Sequence, residues 1–109
     1  MAETVSGDGE KLRRVLVRFR AGPAWGDGSI REQPGWDEHA DFVDDLVARG
    51  IMVMGGPFAD YSGSATVLEN VTEEEARDLV AADPFVANGV FVVDDVRAWK
   101  VYVDELTPR

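Results

Sequence analysis

Residues 51–57, IMVMGGP, read as an extended strand with no polar face: Ile51 and Val53 face one way, Met52 and Met54 the other. Such a strand has to be covered on both sides. A helix layer supplies one cover. A chain of 109 residues builds a single domain around a single core, so the second cover is expected from another copy of the chain. A homodimer is therefore part of the expected architecture.

The rest of the chain supplies the other layers. Residues 14–20, RVLVRFR, alternate as a strand, with Val15, Val17 and Phe19 on one face and Leu16, Arg18 and Arg20 on the other. Residues 36–49, WDEHADFVDDLVAR, carry Trp36, Ala40, Val43, Leu46 and Val47 at helical spacing. Pro34 suits the first turn, Asp37 and Glu38 suit the positive end of the dipole, and Gly50 marks the stop. Residues 64–70 return as a hairpin partner of 51–57, with the Gly55-Gly56-Pro57 end bare enough for close approach to the backbone. Thr72 and Glu75 form a capping box for a second helix whose apolar face is Ala76, Leu79 and Val80. Pro84 disfavours helix at Asp83, which places Asp83 at a break. Residues 90–103 form one long strand or two, with Asp94-Asp95 as the bend, which leaves an extra C-terminal strand open.

The order is strand, helix, strand, strand, helix, strand. It specifies an α+β class, ferredoxin-like βαββαβ plan with an antiparallel sheet and two helices on one face. The domain is expected over residues 13–105, with tails at 1–12 and 106–109.

Charge and composition narrow the partners. Eleven basic against 21 acidic residues give a net charge of −10, which repels phosphate backbones and anionic lipid. Neither nucleic acid nor membrane is expected as a partner. No apolar run approaches the ~20 residues of a membrane span, and no signal pattern opens the chain, so the expected location is the cytoplasm. With no cysteine and one histidine, thiol chemistry and a transition-metal site are not expected. No cofactor is expected either.

That one histidine, His39, sits on the edge of the apolar stripe of the first helix. Both helices cover the same sheet face, so His39 and Asp83 can meet although 44 positions separate them. A carboxylate beside an imidazole sets its tautomer and suits it to acid–base work. The plain alternatives are a packed histidine and an aspartate that caps a turn. Arg18 and Arg20 could hold a ligand carboxylate, although solvated charge at a sheet edge is the simpler reading. Core packing is the simpler reading for Trp36 and Trp99, while Trp25, Phe58 and Tyr61 belong to loops and are freer to meet a ligand. The Gly- and Pro-rich loop 21–35 reads as a surface insertion, with a binding loop as the alternative.

The series His39 in an apolar helix, Gly50, Gly55-Gly56-Pro57, Gly63-Ser64, Glu74-Glu75-Ala76, Asp83-Pro84-Phe85, Gly89 and Trp99 resembles the YCII-related (YciI-like) family. The resemblance implies a ferredoxin-like fold paired as a dimeric α/β barrel, with His39 and Asp83 as an acid–base site. It implies a lyase or isomerase acting on a small cyclic or aromatic metabolite, as in a dehydrochlorinase or lactone isomerase. A ligand-binding dimer without turnover and a cofactor-free monooxygenase are the alternatives. Gly55, Gly56, Pro57, Ser64, Trp36 and Arg18 are the expected substrate contacts.

Overall fold

The computed structural model describes residues 13–106. The tail expected over residues 1–12 and most of the one expected over 106–109 lie outside them. The elements run β1 (Arg14–Ala21), α1 (Trp36–Ala48), β2 (Met52–Pro57), β3 (Gly63–Glu69), α2 (Glu73–Ala81), α3 (Pro84–Ala87) and β4 (Phe91–Trp99), with a 3₁₀ turn at Ile30–Glu32 before α1. The strands form one sheet in the order β2-β3-β1-β4, every neighbour antiparallel. This is the expected ferredoxin-like plan.

Alternation along β1 decides where the core sits. Val15, Val17 and Phe19 are buried, opposite Leu68, Thr66 and Ser64 of β3. Ala76 and Val80 of α2, Leu46 of α1 and Phe85 of α3 are buried with them. Each large apolar side chain taken from water contributes about 1.5–3 kcal/mol. The capping box at the start of α2 forms as the spacing requires: Thr72 Oγ1 accepts from the Glu75 N–H at 3.1 Å, and Glu75 accepts from the Thr72 N–H at 2.8 Å.

Several local expectations change. Helix α1 begins after Gly35, whose left-handed backbone (φ 85°) forms the N-cap, so Pro34 precedes the helix. The stripe of α1 is narrower than its periodicity suggests, because Val47 is exposed. In β2, Met52 faces Leu68 but Met54 faces Val67, which makes Val53 the extra residue of a bulge. Met52 and Met54 therefore lie on opposite faces of the sheet, Met52 against the core and Met54 outward. A second bulge skips Asp94, since Arg18 pairs with Asp95 and Phe19 with Val93. The strand bends there without breaking.

No extra C-terminal strand forms among the described residues. β4 is an edge strand, and its last residue Trp99 faces Arg14 at the start of β1, where the described strand pairing ends. Trp99, expected in the core, is 46% exposed for the same reason.

Candidate active site

A cavity of about 290 Å³ lies between α1 and the β2–β3 end of the sheet. Its sheet side consists of Gly55 and Pro57 on β2 with Ser64 and Thr66 on β3; Trp36, His39 and Val43 of α1 close it from above. Phe19, Phe91 and Ile30 line it as well. The lining is largely apolar with a few convergent polar groups, as small-molecule sites are.

His39 Nδ1 lies 2.8 Å and 3.0 Å from the two carboxylate oxygens of Asp83. Both side chains are buried, at 10% and 5% exposure. Asp83 is the N-cap of α3, and its Oδ1 also accepts from the Phe85 N–H at 2.9 Å. Pro84 at the first helical position keeps Asp83 extended and aims its side chain back along the short helix. The His39 ring lies nearly flat on Phe85, centroids 4.1 Å apart and planes 13° from parallel, and meets Phe91 edge-on at 6.0 Å. An ionised carboxylate only accepts, so a neutral His39 carries its proton on Nδ1 and leaves the Nε2 lone pair bare. Nε2 has no protein partner among the described residues, and the ring lines the cavity.

The loop 21–35 is tied down rather than appended. Gly22 and Ala24 donate to the carbonyls of Val90 and Gly89 at 2.7 and 2.9 Å. Trp25 stacks on Phe91 at 6.1 Å, and Phe91 on Phe19 at 5.2 Å. Gln33, only 3% exposed, accepts from the Gly26 N–H at 2.7 Å and donates to the carbonyls of Gly26 and Ser29 at 3.1 and 3.0 Å. This places Ile30 against the cavity, so the loop forms part of its wall and is more than a surface insertion.

Comparison with known proteins bears on the family and the fold. The family model described as the YCII-related domain matches residues 15–100. The chain belongs to the YCII-related family. The uncharacterized protein YjpA of Bacillus subtilis (strain 168) is 40% identical over 63 residues, which cover 58% of this chain and 73% of YjpA. The solved structure of 5-chloro-2-hydroxyhydroquinone dehydrochlorinase (TftG) from Burkholderia phenoliruptrix AC1100, in complex with 2,5-dihydroxybenzoquinone, has a similar fold. The TM-score is 0.57 at 25% identity, over 79% of this chain and 93% of that one.

In this YCII-related chain, seven of the eight expected site residues share one cavity: His39, Asp83, Gly55, Gly56, Pro57, Ser64 and Trp36 all line it. Arg18 does not. It alternates with Val17 and Phe19, so its side chain leaves by the opposite sheet face, 48% exposed and 3.7 Å from Asp95. Phe85, Thr66, Ile30 and Gln33 were not expected at the site. The Asp-Pro-Phe run signals Phe85, and alternation with Ser64 signals Thr66; a buried glutamine in a loop has no local signature. Among the described residues, no group of three or more His, Asp or Glu side chains converges as a metal-ligand set. No described helix is long and apolar enough to cross a membrane.

Proposed function

We propose that this chain is a lyase or isomerase that moves a proton on a small cyclic or aromatic metabolite, with His39 as the base and acid and Asp83 as its partner. One observation carries the reading: His39 gives Nδ1 to a buried carboxylate and keeps Nε2 for the cavity. Nε2 takes a proton from a C–H or O–H of the ring, and the electron pair left behind forms a new double bond. In an elimination, the leaving group departs with its own bonding pair as an anion. In an isomerisation, the imidazolium returns the proton to a second atom. Asp83 stabilises the imidazolium while it exists, and the stack on Phe85 keeps the ring in plane. General acid–base catalysis of this kind supplies about 10²- to 10⁴-fold.

The lining supports the substrate class. It contains aromatic and aliphatic side chains, two hydroxyls and two carboxylates, and neither Lys nor Arg. Flat, uncharged rings fit such a wall; phosphorylated ones do not. The dehydrochlorinase of similar fold, with a dihydroxybenzoquinone bound, points to the same class. The test is chloride release from chlorinated hydroxyhydroquinones, measured beside circular dichroism. His39→Ala and Asp83→Asn should lose turnover and keep the fold; full activity in both variants overturns the reading.

A second copy of the chain is proposed as the cover of the outer sheet face. Leu16, Ala65 and Val67 are half-buried there, Met54 is 54% exposed, and the Arg18 and Arg20 side chains offset those of Asp94 and Asp95. Light scattering should give twice the 11.9 kDa chain mass, and Met54→Asp should reduce it to one. A stable wild-type monomer at micromolar concentration removes the proposal.

A further inference from the structure

Thr66 stands in the middle of β3, between Val17 of β1 and Gly55 of β2, on the face that carries the buried Ser64 and Leu68. It is 6% exposed. The two hydroxyls of this strand differ in their bonding. Ser64 Oγ donates to the Gly56 carbonyl at 2.9 Å and links β3 to β2. The Thr66 hydroxyl has no hydrogen-bond partner among the described residues. No fully enclosed side-chain oxygen or nitrogen among those residues lacks a partner, so the Thr66 hydroxyl opens onto the cavity that the residue lines. The neighbouring strand leaves room for it: a Cβ on Gly55 would stand 2.6 Å from Thr66 Oγ1.

An idle hydroxyl inside a largely apolar pocket weakens the fold, and valine would fill the same shape without that cost. We propose that Thr66 Oγ1 is a ligand-binding group that hydrogen-bonds an oxygen of the substrate ring from the sheet side of the cavity, while His39 serves the ring from the helix side. Because a hydroxyl both donates and accepts, it takes a phenol, an enol or a quinone carbonyl equally. The favoured ligands then carry at least two oxygen functions on one small ring. This assignment rests on the proposed function for the identity of the cavity as the substrate site, and it adds the second point of recognition.

The test measures binding of hydroquinone by calorimetry, with melting temperatures of the same samples. The proteins are the wild type, Thr66→Val, Thr66→Ser, His39→Ala and the His39→Ala/Thr66→Val double variant. Thr66→Val should melt at or above the wild-type temperature and bind hydroquinone roughly tenfold more weakly, the effect of one lost hydrogen bond. Thr66→Ser should restore affinity. The same weakening should appear in the His39→Ala background, so the result stands even if His39 proves inessential for turnover. Three outcomes overturn the assignment. They are unchanged affinity in Thr66→Val, weaker binding there together with a lower melting temperature, and no hydroquinone binding by the wild type at millimolar concentration.

Discussion

Phe85 holds both members of the buried pair: its backbone N–H donates to Asp83 Oδ1 at 2.9 Å, and its ring lies 4.1 Å from that of His39. The backbone contact survives any substitution except proline, so the ring contact can be tested separately. Phe85→Leu should lose the stacking, worth about 0.5–1.5 kcal/mol, with turnover reduced several-fold. Phe85→Ala should cost about 3–5 kcal/mol by leaving a cavity in the core. Denaturant titration and turnover on one preparation read both. Wild-type turnover in the leucine variant would show that the stack does not position His39.

Two adjacent glycines make opposite predictions. A Cβ on Gly55 would stand 2.6 Å from Thr66 Oγ1 and 3.4 Å from the Ala65 carbonyl, whereas one on Gly56 meets nothing within 4 Å. Threonine is stiff about χ1 and cannot swing away cheaply. Gly55→Ala should cost about 1–3 kcal/mol as overpacking, and Gly56→Ala should stay within about 0.5 kcal/mol of the wild type. Adding Thr66→Ala to Gly55→Ala should recover much of the loss, since the pair is in contact. Equal melting temperatures for the two single variants would contradict the close approach.

Gln33 fastens loop 21–35 through three hydrogen bonds to backbone. Gln33→Ala leaves the Gly26 N–H without its acceptor and empties the buried site of the Gln33 side chain. The loop should open locally, with faster hydrogen exchange at Gly26 and a changed Trp25 fluorescence. Gln33→Glu should be worse than alanine, because a carboxylate would face the carbonyls of Gly26 and Ser29. Unaltered exchange at Gly26 in both variants would deny Gln33 this role.

Acid should loosen the start of α2. The Thr72 backbone N–H, with the Thr72 side chain second, holds the Glu75 carboxyl below its ordinary value of 4.5. A depressed carboxylate stabilises the fold above its ordinary value and loses that contribution as pH falls through the folded-state value. Glu75→Ala should therefore melt below the wild type near neutrality, and the gap should close on acidification below pH 4.5. A gap that widens in acid has the wrong sign for this capping box. Glu32 is held down in the same way by the Ser29 backbone N–H, so the 3₁₀ turn beside the cavity should loosen over the same range.

The chain's own pattern determined the ferredoxin-like order of elements and the capping box at Thr72 and Glu75, and it allowed His39 to meet Asp83. Each follows from local rules: alternation, helical spacing, capping, and proline breaking a helix before Phe85. Two helices on one sheet face permit residues 39 and 83 to meet, and the packing of α1 against α3 closes the contact to 2.8 Å.

The tertiary structure alone decided what surrounds that pair. One extra residue at Val53 and another at Asp94 shift strand registers, and a one-residue slip reverses which face a side chain takes. It separated Met52 from Met54 in this way and placed Thr66 beside Gly55, whereas the face Arg18 takes follows from alternation along β1. Ile30 joined the cavity only because the loop, fastened by Gln33 to Gly26 and Ser29, folds back onto the sheet end. A cavity is the space left between packed elements, so its lining depends on contacts far apart in the chain, and no local period encodes them.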